Sequence, residues 1–195
     1  INRGEKINDI LKTTLLGLFF GTFGTTLGGI LGAKFNIKSN RFLSFILEFA
    51  AGLMVAIVCF ELIPESLELT NMGNVFLGII LGVIGMLLCD NFVNQKYTKK
   101  HAKNNNSLLK TGIIVGIVGI HNFPEGLAIG SGFEASTKLG LALAVAILLH
   151  DIPEGISMSV PMKSGGMKAS KVFFLTMISG VTTGIGAFFG AILGT

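Results

Sequence analysis

The chain has 195 residues, of which 50% are hydrophobic and 13% are charged, and its mean hydropathy is +0.72. This composition excludes an ordinary soluble domain, which carries about 25% charged residues. The net charge of +4 needs no nucleic-acid partner, because the basic residues follow the membrane topology described below.

Six long apolar stretches follow one another along the chain. Each has about 18 or more residues with few or no charges, and a helix needs about 20 residues to cross the hydrocarbon core of a lipid bilayer. Strands of a membrane β-barrel would be about ten residues long and alternating in polarity, whereas these stretches are continuous. The sequence therefore predicts an all-α membrane protein, a single domain of six transmembrane helices. The predicted spans are 13–33, 42–60, 69–89, 111–132, 139–162 and 172–195.

The first span is too long and too rich in glycine for the apolar core of a signal peptide, so we expect a retained helix. Its Gly24, Gly28 and Gly32 lie four residues apart, a spacing that lets helices approach closely, within one protomer or across a homodimer. Cys59 and Cys89 lie in or near apolar spans. We expect buried thiols there, without a role as metal ligands.

The positions of the basic residues indicate the orientation of the chain. Eleven of the fifteen lysine and arginine residues lie in the segments after spans one, three and five. Short cytoplasmic loops carry such an excess, which predicts a multi-pass protein of the cell (plasma or inner) membrane with its N-terminus outside. The longest polar segment, 91–110, is predicted to be a cytoplasmic loop, and its His101 is expected to be solvated.

A six-residue motif occurs twice near the middle of predicted spans. The sequence HNFPEG at 121–126 is followed 29 residues later by HDIPEG at 150–155. Ionisable residues inside a membrane usually face a cavity or an ion path. Neither span contains a lysine or arginine to offset the three carboxylates, and burying them without a cation is costly. The repeat therefore predicts a metal site.

The spacing within each motif indicates which side chains share a helix face. Residues four apart lie one turn above each other, which pairs His121 with Glu125 and His150 with Glu154. Two imidazole nitrogens and two carboxylates suit zinc and are acceptable for iron, manganese or cadmium.

Asn122 and Asp151 lie about 100° further around their helices. They are predicted to help form a second, adjacent metal site that shares Glu125 and Glu154, or to support the first site from behind. The proline in each motif leaves the carbonyl four residues earlier without its helical donor, so we expect each helix to open at the metal.

These motifs resemble the ZIP (Zrt/Irt-like) family of divalent metal transporters, in particular its compact bacterial members. The segment FELIPES at 60–66 and the pairs Ser179-Gly180 and Gly186-Ala187 are also similar to that family. The resemblance implies uptake of zinc, and often iron, manganese or cadmium, into the cytoplasm by alternating access. The metal is then the substrate, and no catalytic cofactor is implied. The family's primary site corresponds to His121, Glu125, His150 and Glu154, and its neighbouring site to Asn122 and Asp151.

The chain departs from the family pattern in two respects. The family has eight helices that include an inverted repeat, so the last two are expected to be absent from these 195 residues. Family members with a full two-metal centre have a glutamate in span six where this chain has Thr183. This difference leaves one metal or two as open alternatives.

Two other functions share the same predicted ligands. A membrane-embedded zinc metallohydrolase could use Asp151 to activate water, but the chain has no His-Glu-x-x-His motif, and four ligands would close the zinc shell. We therefore predict that the protein is not an enzyme. A metal-selective channel is the other alternative, which the sequence distinguishes poorly from a carrier.

Overall fold

A computed structural model of the chain describes residues 3–35, 37, 39–93 and 107–194. Within these ranges the regular structure is entirely helical, which confirms the predicted fold class. The helices are α1 (Arg3–Lys34), α2 (Asn40–Ile57), α3 (Ile63–Leu69), α4 (Met72–Val93), α5 (Ser107–Ala135), α6 (Thr137–Ser164) and α7 (Ala169–Leu193), with a π-helical turn at Val58–Leu62 between α2 and α3.

Several of these helices can cross a lipid bilayer, so the chain is a multi-pass membrane protein. In the described ranges, four helical segments have the necessary length and apolar composition: Gly4–Lys34, Arg41–Leu69, Thr137–Ser164 and Ala169–Leu193. The third predicted span contains a shorter apolar helical segment, Met72–Leu88. The fourth predicted span lies within α5. The total of six spans stays a prediction, and residues 94–106 of the predicted loop, with His101, lie outside the described residues.

The second span continues beyond its predicted end. The π-helical turn at Val58–Leu62 joins α2 to α3, and the Ile63 N–H donates to the Val58 carbonyl, five residues earlier. Pro64 stands in the first turn of α3, where its missing N–H is tolerated. The wider turn therefore carries the helix past residue 60, where the predicted span ended. Cys59 lies on this turn and is exposed, so the expectation of a buried thiol was wrong for that residue.

Helices α1, α5, α6 and α7 pack closely together, and we call them the glycine-packed unit. A methyl group added to Gly28 of α1 would collide with the Ile152 carbonyl oxygen of α6, and one added to Gly126 of α5 with the Thr183 carbonyl oxygen of α7. Backbone contacts of this kind require glycine. The glycine spacing of α1 thus serves packing within the chain, whereas a homodimer stays a prediction.

Helices α2 and α4 are attached more loosely. Helix α2 lies along α6, where Ala50 is only 2% exposed, and Ile57 and Leu62 pack against the core around Leu143 and Ile147. Helix α4 has apolar side chains exposed around its circumference, including Phe76 and Leu81. The chain therefore divides into a tightly packed unit and a peripheral segment, α2 to α4.

Candidate metal site

The two motifs lie in the middle of α5 and α6, two neighbouring helices of the glycine-packed unit. Pro124 lies inside α5 and Pro153 inside α6, and both helices continue through these residues. Proline is tolerated in membrane helices where surrounding protein satisfies the freed backbone groups. The motifs are thus carried on uninterrupted helices.

The side chains of the two motifs meet across the helix interface. The Nε2 atom of His150 lies 3.4 Å from the Oε1 atom of Glu125, and both side chains are largely buried. His121 interacts electrostatically with His150, and Glu154 does so with Glu125. The four residues predicted as the primary ligands therefore belong to one electrostatic cluster.

The imidazole of His150 is held from a second side. Its Nδ1 atom lies 3.3 Å from the Ala50 carbonyl oxygen of α2. A hydrogen bond from Nδ1–H to a carbonyl leaves Nε2 as the nitrogen that can bind a metal, and this nitrogen faces Glu125. Ala50 therefore positions His150, and no pattern in the sequence indicated this contact.

The cluster does not form a closed coordination shell. Within the described ranges, no three histidine, cysteine, aspartate or glutamate side chains converge tightly enough to enclose a metal ion. The facing ligands would have to move towards each other to coordinate one ion.

An apolar surface covers Glu125 on the side of α2. A cavity of 190 Å³ lies between this helix and the motifs. Among the described residues that line this cavity, Glu125 alone is charged. The other lining residues are Met54, Ile57, Val58, Leu62, Pro124, Ala128, Leu143 and Ile147. The contribution of α2 was missed by the sequence analysis, because these side chains are ordinary apolar residues of a span.

Asn122 and Asp151 point towards the interior of the glycine-packed unit. Both are fully buried. The Asn122 side-chain amide donates to the Ser179 carbonyl oxygen at 3.4 Å, and Asp151 packs against Gly24 of α1. Asp151 also interacts electrostatically with Glu125 and Glu154. Asn122 therefore contacts α7 and Asp151 contacts α1, and their part in a metal site stays a prediction.

The acidic groups are poorly satisfied by the protein. The Oε2 atom of Glu125 and both carboxylate oxygens of Asp151 find no hydrogen-bond donor in the described part of the chain, and the two carboxyl groups are neighbours. The sequence has no lysine or arginine between 111 and 132 or between 139 and 162. A buried carboxylate without a partner is costly, and a bound cation would remove that cost.

Comparison with known proteins assigns the chain to a family. The family model described as ZIP Zinc transporter matches residues 10–116 and 108–195, which include both motifs. The chain belongs to the ZIP zinc transporter family. The resemblance indicated by the two histidine motifs is thereby confirmed.

Several curated relatives of this ZIP chain are bacterial. The zinc transporter ZupT of Corynebacterium aurimucosum is 32% identical over 183 residues, which cover 85% of the chain and 69% of that protein. ZupT of Salmonella heidelberg is 31% identical over 91% of the chain and 72% of that protein. ZupT of Salmonella arizonae is also 31% identical, over 94% of the chain and 71% of that protein. The similarity thus extends over most of the chain.

Proposed function

We propose that this protein takes up divalent metal ions, zinc foremost, into the cytoplasm, and that the metal binds between α5 and α6. The observation that carries the proposal is the 3.4 Å contact between His150 Nε2 and Glu125 Oε1, which joins the two motifs across the helix interface. Family membership and relatives named as zinc transporters support the same function.

The primary ligands in this proposal are His121, Glu125, His150 and Glu154. Imidazole nitrogen and carboxylate oxygen form a suitable tetrahedral set for zinc, and iron, manganese and cadmium are further candidate substrates. Asn122 and Asp151 complete the metal centre from the rear, where they are buried against α7 and α1.

Uptake is the direction that the family resemblance implies, and the positions of the basic residues predict which side is the cytoplasm. The basic segments after spans one, three and five would face the cytoplasm and the N-terminus the exterior, in the cell membrane. Nothing in the chain resembles a nucleotide-binding P-loop, so we propose that metal gradients drive uptake.

Packing suggests which part moves during alternating access. All of the proposed ligands belong to the glycine-packed unit, and separation of α5 and α6 from α1 and α7 would break backbone contacts such as that of Gly126 with Thr183. The cover formed by α2 is apolar, and in the described part of the chain its polar contact with the site is the bond between the Ala50 carbonyl and His150. We propose that the whole unit moves against α2, rather than the α5–α6 pair alone.

The hydrolase alternative fits the geometry less well. Asp151 was the candidate base, and it is fully buried, with Gly24 of α1 packed against it. A base in that position would be poorly placed to activate water next to a substrate. A metal-selective channel remains the alternative, and transport kinetics can distinguish it from a carrier.

The proposal can be tested by uptake of radioactive zinc into proteoliposomes. We expect saturable uptake that falls at least about tenfold in Glu125→Gln and His150→Ala, because each variant removes a metal ligand. His101→Ala, in the polar loop, is the matched control and should transport normally. Equal uptake by all variants would contradict the assigned site, and a flux that rises linearly with zinc would favour a channel.

A further inference from the structure

A basic surface lies at one end of the glycine-packed unit. We call it the lysine surface and define it by Lys34, Lys163, Lys168 and Lys171, all of which are exposed. Lys34 lies in the last turn of α1 and Lys163 in the last turn of α6, whereas Lys168 and Lys171 lie at the start of α7. The positions of the basic residues predict that this end faces the cytoplasm.

The turn between α6 and α7 holds Lys163 close to the start of α7. The Met167 N–H donates to the Met162 carbonyl oxygen at 3.1 Å, and the Gly166 N–H donates to the Lys163 carbonyl oxygen at 3.0 Å. Gly166 has a φ of 84°, a conformation that favours glycine. The chain therefore reverses within a few residues, and the last turn of α6 stays next to the first turn of α7.

Helix α1 ends at the same level of the bundle. Ala33, in its last turn, packs against a buried cluster that includes Met162 of α6 and Val172 of α7. Lys34 directly follows Ala33, and Lys171 directly precedes Val172. The packing therefore brings lysines of three helices to one end of the unit.

The chain supplies no acidic residue to these helix ends. The sequence has no aspartate or glutamate between 10 and 47 or between 155 and 195. Towards the opposite end of the unit, by contrast, the Nζ atom of Lys12 lies 3.8 Å from the Oδ1 atom of Asp9. The positive charge of the lysine surface is therefore not offset by carboxylates of the helix ends that carry it.

The two lysines of α7 stand where helix electrostatics disfavours a cation. The start of a helix carries partial positive charge and favours acidic residues, whereas its end favours basic ones. Lys34 and Lys163 follow this rule at the ends of α1 and α6. The first turn of α7 has no acidic residue, and Lys168 stands at its N-cap without a side-chain cap hydrogen bond. The positions of Lys168 and Lys171 therefore indicate an anion from outside the chain.

One face of α7 changes from basic to apolar. Residues three or four apart on a helix are neighbours, so Lys168, Lys171, Phe174 and Ile178 form a row along α7. Phe174 is 56% exposed and Ile178 is 44% exposed. A molecule with an anionic head and a hydrocarbon chain matches this order of side chains.

We propose that the lysine surface binds an anionic phospholipid, with its phosphate held by Lys168 and Lys171 and an acyl chain lying along Phe174 and Ile178. Lysine ammonium groups bind phosphate by charge-assisted hydrogen bonds, and basic sites between membrane helices on the cytoplasmic side suit anionic headgroups. Lys34 and Lys163 add positive charge at the same level. This inference goes beyond metal transport and uses none of the proposed metal ligands.

Native mass spectrometry of the purified protein in a neutral detergent tests the proposal. Phosphatidylglycerol and phosphatidylcholine with the same oleoyl chains are titrated separately, and the lipid-bound fraction gives each Kd. We expect phosphatidylglycerol to bind about tenfold or more tightly than phosphatidylcholine. Lys168→Gln/Lys171→Gln should abolish most of this preference, whereas Lys168→Arg/Lys171→Arg keeps both charges and should retain it.

The matched control is Lys12→Gln/Lys138→Gln, which removes two charges towards the opposite end of α1 and α6 and should leave the preference unchanged. Thermal unfolding identifies the variants that remain folded. An unchanged preference in folded Lys168→Gln/Lys171→Gln would overturn the proposal. An equal loss in both glutamine pairs would also overturn it, because it would show a general effect of net charge.

Inorganic phosphate distinguishes a lipid headgroup from a soluble phosphate ion, which shares the same chemistry. Inorganic phosphate lacks the acyl chains and should not displace phosphatidylglycerol when the two are present at equal concentration. Displacement at equal concentration would assign the lysines to a soluble anion and overturn the lipid proposal.

Discussion

The glycine-packed unit and α4 contain glycines at similar frequency, but these glycines have opposite surroundings. Methyl groups added to Gly28 or Gly126 would collide with backbone of a neighbouring helix, whereas at Gly78 or Gly82 of α4 they would meet nothing within 4 Å among the described residues. Glycine in a membrane helix therefore does not by itself identify a contact. In this protein close backbone contact coincides with the helices that carry the candidate metal site.

The largest effect is expected where glycine contacts backbone. Gly126→Val should destabilise the protein by about 3 kcal/mol or more, because α5 and α7 must separate to admit the side chain. Gly78→Val, in the open surroundings of α4, is the matched control and should change the free energy of unfolding by less than about 1 kcal/mol. Thermal unfolding in detergent measures both. Equal losses of stability in Gly126→Val and Gly78→Val would show that α4 is packed as tightly as α5.

The second-largest effect is expected at the two motifs, which lie in the glycine-packed unit. Glu125→Gln and His150→Ala should each reduce zinc affinity about 100-fold, since each changes one of the four proposed ligands. Equilibrium dialysis with ⁶⁵Zn measures this affinity. Glu68→Gln, on exposed α3, should bind zinc as the wild type does. A similar loss in that control would indicate a nonspecific charge effect.

A smaller effect is expected at the contact between α2 and the glycine-packed unit. Ala50→Val should lower zinc affinity by up to about tenfold, because the added methyl groups would displace the carbonyl that orients His150. Gly52→Val lies on the same helix but in open space and should bind zinc normally. Titration of zinc against each purified variant distinguishes them. Unchanged zinc affinity in Ala50→Val would show that Ala50 does not position His150 for metal binding.

The smallest effect should be a gain. Gly82→Ala in α4 adds a methyl group without a collision among the described residues and improves helix propensity, so it should stabilise the protein by up to about 1 kcal/mol. Gly28→Ala should destabilise it, because the Ile152 carbonyl oxygen occupies the required space. The two opposite shifts in unfolding temperature are the expected result. A fall for Gly82→Ala would reveal a hidden contact of α4.

Part of the candidate site could be predicted from the sequence, because motif spacing is a local property. The four-residue spacing predicted that His121 shares a helix face with Glu125, and His150 with Glu154, and the structure brings Glu125 and His150 together across the helix interface. The contact between His150 and Ala50 could not be predicted, since a backbone carbonyl has no sequence signature. The π-helical turn was also not predicted, since the predicted span 42–60 ends within it and hydrophobic length does not reveal such a turn.

The spacing of the glycines shows the same limit of prediction from the sequence. The regular spacing in α1 indicated close packing, but Gly78, Gly82 and Gly85 of α4 are also regularly spaced and meet no other helix in the described part of the chain. Spacing specifies a helix face. Only the tertiary arrangement decides what that face contacts.

Zinc K-edge X-ray absorption of the zinc-loaded protein tests the central claim most directly, namely that the two motifs bind one metal between α5 and α6. The predicted spectrum has a shell of nitrogen and oxygen atoms at about 2.0–2.1 Å with the scattering of two imidazole rings, and one ring is lost in His121→Ala and one in His150→Ala. A spectrum without imidazole scattering, or one unchanged in both variants, would contradict the site.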